Sequence, residues 1–239
     1  MRTYSNKDQI NLGRKAGTEI LKAIKNAKKS VKIVSPYLSP SYLEELLKLR
    51  KKGVQITLIT SDNLEEGNNS FSSFQHSDVI KQGKMIIDKK AANKKKRGII
   101  FSAAILLISF LSLLLLPVLY LSLFLMAIGA LAFIFYLLKK TYTYEYYSIF
   151  KLKVFDSKSA EKPWSTNLIH SKVFLIDNQI LFLGSANFTY SAFNTHYETV
   201  IRVEDFKAID DVSKEIENLF NSTELKSKSI QEWGEEIYE

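Results

Sequence analysis

A histidine and a lysine two positions apart, His170 and Lys172, begin a pattern that continues through Asp177, Gly184, Ser185 and Asn187. Written out, it is H-x-K-x4-D-x6-G-S-x-N, and the chain carries it once. These residue types suit the cleavage of a phosphodiester. Such a linkage is anionic and resists attack, so its site needs a nucleophile, a cationic clamp and an acid for the departing alkoxide. Neutral imidazole is available near pH 7, so His170 can attack phosphorus. The Lys172 ammonium can hold a non-bridging oxygen, and Asn187 and Ser185 can add neutral donors. Glu198, eleven residues after Asn187, can accept the second imidazole N–H, fixing the tautomer and stabilising the charged ring.

The elements that must hold these groups read as an α/β pattern. Ala16 to Ala27 is predicted helical, with Ile20, Leu21, Ile24 and Ala27 on one face. Val31 to Val34 is a short strand stopped by Ser35-Pro36. Ser41 to Lys52 is a second helix, ended at Gly53. Val54 to Thr60 is a buried strand, parallel to the first because a helix connects them. Ser70 to Gln82 is expected to be helical and Phe150 to Phe155 a strand. Lys172 to Ile176 and Gln179 to Leu183 are expected to be adjacent strands turning at Asp177-Asn178, which would put His170 and Lys172 on one face. Thr199 to Val203 reads as a further strand and Ala208 to Phe220 as a helix. The tail from Thr223 is charged; Trp233 docks it or the end is mobile.

A second pattern interrupts this one. From Gly98 to Leu138 the chain has no charged residue. One helix of that length would be about 60 Å long, whereas a bilayer core of about 30 Å needs roughly 20 residues. Pro117 divides the run, so two antiparallel transmembrane helices are expected. Lys89, Lys90, Lys94, Lys95, Lys96 and Arg97 precede the run and Lys139 and Lys140 follow it. Basic flanks on both sides predict that both ends stay in the cytoplasm. The expectation is a two-pass integral protein of the cell membrane with a cytoplasmic catalytic domain. Tyr142, Tyr144, Tyr146 and Tyr147 read either as an interfacial aromatic belt or as packing in a helical stalk. Domain limits follow: 1–97 and 139–222 as two halves of one catalytic domain, 98–138 as the hairpin, and 223–239 as the tail. The chain has no cysteine and a net charge of +8, which excludes disulfides and thiolate metal sites and favours anionic partners. Met1 to Arg14 is polar, so no secretory leader is expected there.

The stretch from Ile169 to Val203 resembles the HKD motif of the phospholipase D superfamily. The likeness extends over roughly residues 14–85 and 148–220. The α/β order is similar to that of the small bacterial single-motif nucleases, and the combination of one motif with a membrane attachment is similar to mitochondrial cardiolipin hydrolase. The resemblance implies a phospholipase D-like mixed sheet flanked by helices, interrupted here by the hairpin. It implies that His170 forms a phosphohistidine, that Lys172 and Asn187 bind the phosphate, and that Ser185 contacts phosphate or supports the site. It further implies that Glu198 orients the histidine and that Asp177, with Gly184, serves the local fold. No metal or cofactor is implied.

The resemblance also implies a second histidine that protonates the leaving group; members with two motifs supply it within one chain, and those with one form a two-fold dimer whose sites merge. A two-fold homodimer with His170 of each copy facing one phosphate is therefore expected. His76 sits in a polar stretch and reads as a surface residue. His196 could share a strand face with Glu198, although a solvated loop position is the plainer reading. Trp164 could line the substrate mouth, dip toward headgroups or pack a loop. Phospholipid is the expected substrate, with hydrolysis and transfer to an alcohol both open. Single-stranded nucleic acid is the alternative, and a catalytically silent scaffold is disfavoured because every motif position is filled.

Overall fold

Short β-branched runs build a sheet whose strands meet the functional residues at one end. The computed structural model describes residues 9–61, 76–112, 119–155 and 169–238. Two compact units divide the chain: Met1–Lys81 with Tyr146–Glu239, and Gln82–Glu145. In chain order the strands are β1 (Gln9–Arg14), β2 (Ser30–Val34), β3 (Gln55–Ser61), β4 (Ile80–Ile87), β5 (Tyr142–Ser148), β6 (Lys151–Phe155), β7 (Val173–Ile176), β8 (Ile180–Gly184) and β9 (Tyr197–Val203). The helices are α1 (Thr18–Lys25), α2 (Pro40–Lys51), α3 (Lys89–Ser112), α4 (Leu119–Leu138), α5 (Tyr190–Asn194), α6 (Phe206–Asn221) and α7 (Ile230–Tyr238).

The main sheet has seven strands in the order β1-β9-β8-β7-β2-β3-β6. β2 pairs parallel to β3 and β3 parallel to β6, while β7, β8, β9 and β1 continue antiparallel from β2. The sheet is therefore mixed. Alternation along β7 sends Phe174 and Leu175 to opposite faces. Leu175, with Val34, Ile59 and Leu181, packs under Ile209 and Ile216 of α6. Phe174 meets Phe188 and Phe193 on the other face, with ring centroids 5.9 Å apart in each pair. Each of these buried side chains contributes about 1.5–3 kcal/mol. Asp205 starts α6 by accepting the Ala208 N–H at 2.9 Å, the usual task of an N-cap carboxylate.

Several expectations change. Ser70 to Gln82 does not continue as a helix where it can be followed: His76–Asp78 is a single 3-10 turn, and Ile80 opens β4. The part before His76 lies outside the described residues. The tyrosines after the apolar run form a strand, β5, paired with β4, and not a helical stalk. Period-2 alternation of Tyr and Thr favours that outcome. His170 and Lys172 precede β7 instead of lying in it. Pairing on that side stops at Val34–Val173, because Ser35-Pro36 takes the neighbouring chain out of the sheet. β1 is an edge strand that the sequence reading did not identify. The tail forms α7, with Trp233 buried.

The second unit is a helix pair. Asp88 caps α3 by accepting N–H groups from Lys90 and Ala91 at 2.9 and 3.0 Å. Lys95 Nζ reaches the Lys139 carbonyl at 2.9 Å, Gly98 faces Tyr136, Gly129 faces Ile105 and Leu106, and the Ser112 and Ser122 hydroxyls share a 2.6 Å hydrogen bond. That sequence of partners makes the pair antiparallel. The buried positions are small or polar (Gly98, Ser102, Ser109, Ser122), whereas Phe101, Phe110, Leu131, Phe135 and Leu138 are exposed. Among the described residues, one helix is long and apolar enough to cross a membrane, over Tyr120–Leu138 (19 residues). The apolar part of α3 can be followed only to Ser112, and Pro117 lies outside the described residues.

Asp177 ties the motif to the frame. With Asn178 it joins β7 to β8 at φ values of 55° and 52°, a left-handed backbone that Asp and Asn tolerate in tight hairpins. Its carboxylate accepts N–H groups from Lys28 and Lys29 (2.7 Å), in the connection from α1 to β2, and from Ser30 (2.9 Å), the first residue of β2. Burial works to raise its pKa, but the N–H groups of Ser30, Lys28 and Lys29 outweigh burial and hold it below the ordinary value. Asp177→Ala is expected to cost about 1–3 kcal/mol of stability, with Asp177→Asn intermediate, measured by unfolding of the full chain in detergent. Because the folded pKa is depressed, this contribution is complete above the unfolded value of 3.8. It disappears as pH falls through the lower folded value.

Candidate active site

β2 and β3 end where β7 begins, β8 ends and β9 begins, so the loops from five strands gather at one end of the sheet. Open α/β sheets hold ligands outside the carboxyl ends of their parallel strands. His170, Lys172, Gly184, Ser185, Asn187 and Glu198 all belong to this end.

His170 is exposed and Lys172 is buried, with only 7% of its surface accessible. The lysine side chain folds back so that Nζ lies 2.8 Å from the His170 carbonyl, 3.0 Å from Nε2 and 3.1 Å from Nδ1. The His170 ring and the Lys172 ammonium are thus in direct contact. Burial lowers the Lys172 pKa and the negative charge of Glu198 pulls the other way, with the balance below the ordinary lysine value. A phosphate arriving here would meet an ammonium already stripped of most of its water.

Gly184 makes the next contact possible. A Cβ at this position would lie 1.9 Å from the Thr199 carbonyl oxygen, so only glycine allows β8 to approach β9 so closely. Ser185 then exchanges bonds with the Thr199 backbone: Ser185 N–H donates to the Thr199 carbonyl and Thr199 N–H donates to Ser185 Oγ, both at 3.0 Å. The Ser185 hydroxyl donates to Glu198 Oε2 in a short hydrogen bond. Its single proton is committed there, so Ser185 acts first on Glu198. Glu198 is itself buried, and its other oxygen lies 3.8 Å from His196 Nδ1. The expected hydrogen bond from His170 to Glu198 is not among the contacts of the described residues. Glu198 instead places its charge near Lys172.

Asn187 sits on a loop pinned from below. Ser39 N–H donates to the Phe188 carbonyl at 3.0 Å, Phe188 N–H to Ser35 Oγ at 3.0 Å, and Tyr190 N–H to Ser39 Oγ at 2.9 Å. Phe188 is buried against Tyr42, with ring centroids 5.4 Å apart. Asn187 Oδ1 is buried and has no hydrogen-bond partner among the described residues. A half-turn of the amide would present N–H groups at the same place, the donor an anionic oxygen requires.

Ser35 and Ser39 were missed as positioning residues. Their signal was present, since Ser35 precedes Pro36 and Ser39 precedes Pro40 at the start of α2, but it reads as turn and cap chemistry. Ser39 serves Tyr190 N–H in place of its own helix. His196 is 62% exposed and still near Glu198, so it is both solvated and at the rim. His76 opens the 3-10 turn in sequence. Trp164 lies outside the described residues.

The chain is similar to several known proteins. Residues 20–106 and 135–221 match the family described as cardiolipin synthase, PLD-like domain. The gap between the two matched segments falls inside the apolar run. Cardiolipin synthase 1 of Bacillus cereus is 30% identical over 69 residues, a stretch covering 28% of this chain and 14% of that protein. NucT from Helicobacter pylori has the same fold, with a TM-score of 0.50, 16% identity, and coverage of 93% of this chain and 99% of that one. Nuc from Salmonella typhimurium, a phospholipase D family member, gives a TM-score of 0.45 at 13% identity, covering 93% and 99%. With more than half of its residues matched, and with the histidine and lysine of its motif in contact, the chain belongs to the phospholipase D superfamily, in the family of cardiolipin synthase PLD-like domains.

Proposed function

We propose that the protein is a membrane-anchored phosphodiesterase that acts on phospholipid through a phosphohistidine at a site shared by two copies. His170 attacks phosphorus and the bond to the leaving alkoxide breaks. Lys172 and Asn187 hold the non-bridging oxygens as charge builds on them. His170 of the second copy gives the alkoxide its proton, then takes one from water or from an acceptor alcohol, which attacks phosphorus and frees the first histidine. Glu198 offsets the buried Lys172 charge, and Ser185 keeps Glu198 in place. Gly184 and Asp177 hold the strands on which these groups depend.

The observation that carries the lipid reading is the inverted helix pair of the second unit. Its small and polar side chains are inside and its large apolar ones outside, the reverse of a water-facing pair and the pattern of helices packed in lipid. This supports two crossings joined near Pro117, with the basic ends in the cytoplasm. Charge distribution supports the same choice over nucleic acid. Residues 82–145 contain nine Lys and Arg against two acidic residues, leaving +1 of the total +8 for the rest of the chain. The unit that holds the site is close to neutral, whereas nucleic-acid binding draws its affinity from a basic surface.

Purified protein tested side by side on mixed phospholipid vesicles and on single-stranded DNA and RNA is expected to turn over lipid. His170→Asn should reduce that rate at least about a thousandfold. Cutting of nucleic acid that depends on His170, with lipid untouched, would reverse the substrate assignment. Glu198→Gln should lower the rate about 100-fold and move the alkaline limb of the pH–rate profile to lower pH. The sign follows from Lys172: burial already lowers its pKa, and removing the Glu198 charge that opposes burial lets the ammonium lose its proton sooner. An alkaline limb that stays in place would separate Glu198 from Lys172.

A further inference from the structure

The foot of the helix pair carries a basic cleft that the chemistry above does not use. Lys90, Lys94, Arg97 and Phe101 follow one another at spacings of four, three and four along α3, which places them on one face of the helix. Together with Tyr136 of α4 they line a cleft of about 750 Å³, within the range of small-molecule sites of roughly 300–1,000 Å³. Gly98 creates the wall. A Cβ there would lie 2.4 Å from Cδ1 and Cε1 of Tyr136, so the missing side chain lets the ring lie against the α3 backbone. The cleft is thereby shaped by a backbone position as well as by charge.

Its three cations have no acidic side chain paired with them among the described residues. Residues 82–145 contain only two acids, Asp88 and Glu145, and the Asp88 carboxylate receives backbone N–H groups at the start of α3. Lys95 is different, since its ammonium is taken up by the Lys139 carbonyl. Below the cations the lining turns apolar, and Phe101 is 69% exposed. The cleft is therefore cationic at one end and apolar at the other, at the level where the charged part of α3 gives way to its uncharged part.

We infer that this cleft binds the phosphate headgroup of an anionic phospholipid, apart from the catalytic site, with Arg97 and Lys94 on the phosphate and Phe101 against the acyl chain. Arg suits the bidentate demand of a phosphate, and Lys adds a point charge. A topology signal requires basic residues in number but neither a shared face nor a Gly98–Tyr136 wall. The inference rests on the membrane-anchored reading of the chain.

Full-chain protein carrying His170→Asn, so that lipid is not consumed, is titrated in detergent with dihexanoyl phosphatidylglycerol, dihexanoyl phosphatidylcholine or inorganic phosphate. Native mass spectrometry counts the adducts. Saturable binding of phosphatidylglycerol is expected, with at least tenfold weaker binding of phosphatidylcholine and of phosphate. Lys94→Gln with Arg97→Gln should weaken phosphatidylglycerol at least tenfold. Lys89→Gln with Lys96→Gln removes the same charge from another face and should leave binding unchanged. Equal loss in both double variants would mean diffuse attraction and overturn the site. Phosphate binding as tightly as the lipid would make it a free-phosphate site and overturn the lipid assignment. Protein that stays dispersed without detergent would refute membrane anchoring instead, an outcome separable from the adduct counts.

Discussion

A buried ammonium constrains the whole motif-bearing end of the sheet. Lys172 is 7% exposed, and a charge so far from water needs partners or it gives up its proton. The His170 carbonyl and ring supply dipoles at 2.8–3.1 Å, and Glu198 supplies the opposing charge. Glu198 is buried in turn and needs Ser185, and Ser185 reaches it only because Gly184 lets β8 and β9 close together. Motif residues that look independent in the sequence are links in one chain of compensation. In the proposed reaction a phosphate ester would bring a second anion to the same ammonium.

The remaining members are held by backbone geometry. Asp177 receives three consecutive N–H groups, from Lys28, Lys29 and Ser30 at the start of β2, locking the β7–β8 hairpin to its antiparallel neighbour β2. At the other end of the same strands, Ser35 and Ser39 hold the loop that carries Asn187. The aromatic group of Tyr42, Phe174, Phe188 and Phe193 lies beneath that loop. Such sites work by preorganisation, with donors fixed before charge develops.

Much of this was legible in the sequence, for identifiable reasons. The β2, β3, β7, β8 and β9 segments are apolar runs bounded by turn residues, and each lies within one or two positions of its expected place. The motif residues were recognisable because their spacing is dictated by one hairpin and the turn after it. What escaped notice depends on partners distant in the chain. β1 is a half-polar edge strand that exists because β9 pairs with it. The Tyr-rich β5 takes its form from β4 across the apolar insertion. Ser35 and Ser39 work through backbone N–H groups some 150 residues away, which no local pattern encodes. Glu198 was found by position, but its contact with Ser185 in place of His170 depends on how closely β8 approaches β9.

In the proposed reading the apolar insertion gives the chemistry its setting. Matched family segments stand on both sides of it, and its helices expose what a soluble pair would bury. The covalent step is tested most directly by rapid quench of the purified enzyme with phosphorus-labelled substrate, followed by peptide mapping under alkaline conditions. An acid-labile, alkali-stable adduct on His170 within the first turnover, absent from His170→Asn, is the expected result. Turnover with no adduct at His170, or with the label on another residue, would contradict it.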